Sequence, residues 1–69
     1  MDANLNQLSQ LIVQRRKELN IKQEDLSDLT NIAIRTIRDL EKGKGNPSLE
    51  TMNQLMNVLG IELLFKLKK

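Results

Sequence analysis

QEDLSDLTNIAIRTIRDLEKG, residues 23–43, decides the fold of this 69-residue chain. Leu26 and Leu29 stand three apart on a segment that reads as a short helix over residues 23–29, both facing inward. Glu24 and Asp25 sit in its first turn, where carboxylates suit the positive end of the helix dipole. Ser27 is small enough to let a neighbouring helix approach closely. Thr30, Asn31 and Ile32 follow as a tight turn, and Asn31 is the residue there that readily adopts the left-handed conformation a reversal needs. A second helix is expected over residues 34–42, with Ile37 and Leu40 inward and Gly43 just past its end as a left-handed cap. With Ala33 at the N-cap, Ile32 and Ile37 occupy the positions of a hydrophobic staple, which fixes how the chain enters the helix. Ala is a poor cap and costs about 1 kcal/mol relative to Ser or Asp.

Working outward, residues 5–19 carry Leu5, Leu8, Leu11, Ile12 and Leu19 at helical spacing with polar residues between them, as an amphipathic helix would. Arg15, Arg16 and Lys17 form its last turn, where cations complement the dipole, and Asn20 offers a left-handed exit. On the other side, Gly43-Lys44-Gly45-Asn46-Pro47 is the one Gly/Pro cluster of the sequence and reads as a surface loop. Ser48 caps a further helix on which Leu49, Met52, Leu55, Met56 and Leu59 repeat at helical spacing until Gly60. Its methionines are flexible core fillers rather than ligands.

After Gly60 the period becomes two. Ile61, Leu63, Phe65 and Leu67 alternate with Glu62, Leu64, Lys66 and Lys68, a strand pattern. A lone strand leaves backbone groups unpaired, so its partner is expected from a second copy of the chain, with Leu63 and Phe65 burying area across a two-fold axis. A short fifth helix or a frayed tail is the alternative. The expected division is thus 1–60 for the helical domain and 61–69 for the dimerisation strand.

Composition limits the chemistry. Length suits one domain, since domains run to roughly 50–250 residues, and an effector-binding domain is not expected. The chain has one Phe, no Tyr, no Trp, no Cys and no His. Stacked aromatic platforms for single strands, thiol nucleophiles, imidazole bases and the ligands of most zinc sites are therefore missing, and an enzyme is not expected. No cofactor is expected either. The amino terminus lacks the marks of a signal peptide, and no apolar run approaches the roughly 20 residues of a membrane span. The expected location is the cytoplasm. The net charge of +2 is modest, but the residues from Arg35 to Lys44 hold four cations against Asp39 and Glu41, so the excess lies on one helix and the loop after it.

Two short helices joined by a tight turn, the second polar and bearing arginines, make a helix-turn-helix unit. The stretch IKQEDLSDLTNIAIRTIRDLEKGKGNPSLETMNQLMNVLGIEL resembles the lambda-repressor-like, Cro-type helix-turn-helix domain, with similarity from about Leu8 to Leu63. Within that family it looks closest to the subgroup that includes the antitoxin HipB, whose short members end in a strand paired across a dimer. TIRDLEKGKGNPSLETM followed by LGIEL is the most specific part.

The resemblance implies an all-α fold of four helices with a C-terminal dimerising β-strand, and it assigns roles. Gln23 matches a glutamine that binds a DNA phosphate. The helix after the turn is the implied recognition helix, with Ala33, Ile34, Arg35, Arg38 and Asp39 against base edges in the major groove. Arg35 is the best candidate for a base contact, since a guanidinium grips guanine O6 and N7 together. Ile34 touches a thymine methyl or packs beside Ile37. Thr36 and Arg38 reach phosphates, and Asp39 accepts from cytosine or balances the arginines. Arg16 and Glu41 match a structural ion pair, so Arg16 is not counted as a DNA contact. Lys42, Lys44 and Asn46 lie in the loop that touches the DNA backbone, or are ordinary solvated residues. Two departures from the family pattern stand out: Asn31 replaces a common Gly and keeps the turn physics, whereas Ala33 replaces a polar cap and removes a hydrogen bond from the first recognition position.

The implied function is that of a sequence-specific double-stranded DNA-binding repressor, acting as a homodimer on a palindromic operator in a bacterial or phage setting and associated with the nucleoid. An antitoxin that autorepresses and restrains a kinase toxin is the first alternative. A protein-binding helical adaptor without DNA binding is the second.

Overall fold

The computed structural model describes residues 3–62 and Leu67. Four helices follow one another: α1 (Ala3–Glu18), α2 (Gln23–Thr30), α3 (Ile34–Glu41) and α4 (Leu49–Leu59). Helix α1 packs on α3 and α4, and α2 packs on the same two. Among the described residues there is no strand; Leu63 and Phe65, at the centre of the expected strand, lie outside them.

Each helix ends on a left-handed residue, and neighbouring N–H groups then close the free carbonyls. At the end of α1, Asn20 (φ 61) donates to Lys17 O at 3.0 Å and Ile21 to Arg16 O at 2.9 Å. At the end of α3, Gly43 (φ 76) donates to Leu40 O at 3.0 Å and Lys44 to Asp39 O at 2.8 Å. Both are six-residue Schellman closures. Helix α2 uses a single bond instead, from Asn31 N (φ 60) to Ser27 O at 2.9 Å. Past α4, Gly60 turns left-handed at φ 70 and Ile61 N donates to Met56 O at 2.9 Å. Ile61, read above as the first residue of the strand, therefore closes α4, and its side chain packs against the core.

The core is aliphatic, as the lack of aromatics requires: Ile12, Leu26, Ile32, Ile37, Leu40, Leu55 and Leu59 form one buried cluster, with Leu8, Ile21, Val58 and Ile61 packed around it. Ile32 and Ile37, the two positions of the expected staple, both belong to it. Four leucines expected inward are exposed instead: Leu11, Leu19, Leu29 and Leu49. Leu29 loses its place to Thr30. One turn beyond Leu26, Thr30 is 6% exposed, and its hydroxyl donates to Leu26 O at 2.7 Å, so burying it leaves no polar group unmet. Leu19 follows the last residue of α1 and Leu49 is the first of α4, where the chain has left, or not yet reached, the cluster.

The turn between α2 and α3 is buried at Ile32, and its backbone is satisfied from α2. Ile32 N donates to Thr30 Oγ1 at 3.3 Å, and Ile32 O accepts from Ser27 Oγ at 2.6 Å. Two hydroxyls thus hold both polar groups of the one apolar residue that anchors the turn. Ser27, expected only to be small, is also a hydrogen-bond donor.

Candidate nucleic-acid interface

Helix α3 is short and strongly two-sided. Ile37 and Leu40 are fully covered, and Arg35, about 200° around the helix from Ile37, is exposed. The start of α3 follows from Ala33, whose extended backbone (ψ 139) suits an N-cap but whose side chain makes no cap bond. Ala33 is exposed and Ile34 half-buried, so the first turn presents an apolar, hydrogen-bond-free surface beside Arg35.

Glu41 decides the electrostatics. Its carboxylate faces α1, where Arg16 Nε donates to Oε2 at 2.6 Å and Arg16 Nη2 to Oε1 at 3.0 Å. Side-chain exposures are 14% for Arg16 and 7% for Glu41, so the expected pair is nearly out of solvent. Arg16 Nη1 also donates to Ile21 O at 3.0 Å. With Glu41 turned inward and neutralised, Arg35, Arg38, Lys42 and Lys44 remain exposed on α3 and the following loop, against the half-buried Asp39 alone. None of these four cations has an ion-pair partner among the described residues. The outward face is more positive than the sequence count implied.

One further side chain joins this arrangement through contacts that the sequence did not indicate. Gln23, the first residue of α2, donates from Nε2 to Glu41 Oε1 at 2.9 Å and accepts at Oε1 from Arg38 Nε at 3.4 Å. The signal for it was faint: Arg38 and Glu41 are three apart on one side of α3, and only the packing of α2 on α3 brings Gln23 between them. On the opposite flank, Thr36 and Asp39 turn toward the loop and line, with Leu40, Lys44, Gly45, Asn46 and Pro47, an open concavity of about 220 Å³. The structure thus brings Gln23 and Arg38 together on one side of α3 and Thr36, Asp39, Lys44 and Asn46 on the other, with Arg35 between.

Arg15, grouped with Arg16 above as a dipole-matching cation, serves a different helix. Its Nε donates to Leu59 O at 2.9 Å, closing the carboxyl end of α4, while Nη1 pairs with Glu18 at 2.8 Å. Hydrogen bonds from Arg15 and then Gln14 hold the Glu18 carboxyl below the usual range.

This geometry, with two short helices joined at a buried isoleucine and a cationic outward face on the second, is that of a helix-turn-helix module. Comparison with known proteins agrees. The chain matches the helix-turn-helix family over residues 12–66. It is 40% identical over 52 residues to an uncharacterized HTH-type transcriptional regulator of Methanothermobacter thermautotrophicus, a match covering 75% of each protein. It is 37% identical over 46 residues to the HTH-type transcriptional regulator DdrOP3 of Deinococcus deserti, covering 67% of this chain and 36% of that longer one. The protein belongs to the lambda-repressor-like, XRE-type helix-turn-helix family, a family of DNA-binding regulators and not of enzymes. No helix among the described residues is long and apolar enough to cross a membrane.

Proposed function

We propose that the protein is a sequence-specific double-stranded DNA-binding transcriptional repressor that acts as a homodimer on a roughly palindromic operator. The observation that carries this reading is the uncompensated cationic face: Arg35, Arg38, Lys42 and Lys44 are exposed while Glu41 is taken up by Arg16. Such a face neutralises phosphates and releases counterions. Arg35 reads a base edge, with Ala33 and Ile34 offering apolar contact to thymine methyls and Asp39 an acceptor for cytosine. Gln23, Thr36, Arg38, Lys42, Lys44 and Asn46 position the helix on the backbone. Both relatives are named as transcriptional regulators, which supports regulation over a role as protein adaptor.

The dimer rests on the tail expected over residues 61–69; with Ile61 taken up in closing α4, the pairing falls to the alternation of Leu63, Phe65 and Leu67. In support, Leu67 is 98% exposed in the single chain, a surface that a second copy would cover. Two recognition helices would then stand about 34 Å apart, one turn of duplex.

The test is selection of binding duplexes from a randomised pool, followed by titration across salt. Expected is an enriched motif with two-fold symmetry, affinity falling steeply with salt, and relaxed base preference in Arg35→Ala at a cost of about 1–3 kcal/mol. No enrichment, together with unchanged behaviour of Arg35→Ala, overturns the reading. For the dimer, sedimentation of a chain ending at Glu62 is the cleaner truncation, because Ile61 closes α4. Association as tight as that of the full chain removes the tail from the interface.

A further inference from the structure

The hydrogen bonds around Glu41 run through three helices: Arg16 in α1, Glu41 in α3, Gln23 in α2 and back to Arg38 in α3. Their chemistry fixes a direction. A carboxylate already held by a guanidinium is ionised and can only accept, so the Gln23 amide must turn its nitrogen to Glu41 and its oxygen away. That oxygen meets Arg38 Nε at 3.4 Å. A guanidinium held at Nε keeps both terminal nitrogens, with four N–H groups, for something else. The Gln23 amide likewise spends one N–H on Glu41 and keeps the other. Arg38 is exposed and Gln23 half-buried, so the unspent donors lie at the seam between α2 and α3, on the cationic side of the molecule.

We propose that Glu41 and Gln23 are positioning residues that set Arg38 as a fork for one DNA phosphate, Gln23 adding its second N–H to the same phosphate. The inference rests on the DNA-binding reading. It differs from two independent phosphate contacts in one measurable respect. Gln23 carries no charge, so removing an independent amide contact leaves the counterion count unchanged, and the salt slope with it. If Gln23 aims Arg38, its loss also loosens a cation from a phosphate, and the slope falls. A full phosphate contact is worth roughly 0.9 in the slope of log K against log salt.

The experiment uses the full-length chain and the duplex that it enriches from a randomised pool, with Gln23→Met, which keeps length and removes the amide, Arg38→Ala, and the double variant. Thermal melts check that each is folded; both positions lie outside the buried cluster. Expected is a slope reduced in Gln23→Met by most of what Arg38→Ala removes, and a double variant little weaker than Arg38→Ala alone. An unchanged slope in Gln23→Met, or strictly additive losses, overturns the fork. Absence of salt-dependent binding by the wild-type chain overturns the DNA reading beneath it and the fork with it. Glu41→Gln supplies a second check: an amide there can also donate, so the Gln23 orientation is no longer enforced, and the slope should fall in the fraction that melts as folded. An unchanged slope in that folded fraction removes Glu41 from the arrangement.

Discussion

Arg16 and Glu41, 25 residues apart in sequence, meet in a two-bond fork of 2.6 and 3.0 Å that ties α1 to the last residue of α3. Because both side chains are largely removed from water, the pair behaves asymmetrically. Replacing both partners by apolar residues of similar volume can be nearly neutral, whereas deleting one strands the other.

Glu41→Ala is therefore expected to cost about 3–5 kcal/mol, enough to leave a domain of this size marginal or unfolded. Arg16→Met combined with Glu41→Leu should recover most of that loss. Urea titration followed by circular dichroism measures both; a single variant within about 1 kcal/mol of wild type contradicts the account.

Gly43 and Gly45 separate two effects of adding a methyl group. Both have positive φ, 76 and 94, but a Cβ at Gly43 would lie 2.8 Å from Asn6 Oδ1, while one at Gly45 meets nothing within 4 Å. Gly45→Ala should cost about 1–2 kcal/mol through the backbone alone. Gly43→Ala should cost more, by an amount limited by how easily the exposed Asn6 side chain moves aside. Equal denaturation midpoints for the two would show that the approach of α1 to this corner carries no energy.

Ala33→Ser restores a cap at a position whose backbone already has the extended geometry. A gain of about 1 kcal/mol is expected, or roughly 4–8 °C in Tm for a domain of 60–100 residues. Calorimetry reads it directly, and an unchanged or lower Tm rejects the view that α3 begins with an unmet N–H. The same hydroxyl at the start of α3 should also alter the selected DNA motif.

Glu18 gives a pH dependence of known sign. Its carboxyl is held below the usual range by Arg15 and then Gln14, so the folded state binds this proton less tightly than the unfolded chain. The stabilisation is complete above the ordinary carboxylate range and is lost as pH falls through the lowered value. The Glu18 side chain is exposed to solvent, so the effect is small. Melts of Glu18→Gln and wild type should differ slightly at neutral pH and converge in acid; a gap that widens in acid has the wrong sign.

The helix ends were the most legible part of the sequence. Asn20, Asn31, Gly43 and Gly60 have few competing explanations, because a left-handed backbone admits few residue types, and all four adopt it. Which leucines are buried was less legible. Leu26 and Leu29 fit a helical stripe as well as Leu26 and Thr30 do, and nothing local says that a threonine can go inside by bonding its own helix. Of the candidate interface, the exposed positions of Arg35 and Arg38 followed from their place opposite Ile37 and Leu40 on α3, and those of Lys42 and Lys44 from the loop after it. The Gln23 amide between Glu41 and Arg38 did not, since that contact needs three side chains from two helices and a specific packing of α2 on α3.

Arg15 and Arg16 are neighbours that reach in different directions, one to the last carbonyl of α4, 44 residues ahead, the other to the end of α3. A single turn of α1 is thus the common reference for α3 and for the end of α4. If the dimer proposed above joins through the tail after α4, this turn would work as a caliper: it would set how far each α3 stands from the joint, and so how strictly the proposed operator would have to space its two halves. Inserting one residue between Ile12 and Arg15 would rotate both arginines by about 100° relative to the core and release both jaws at once.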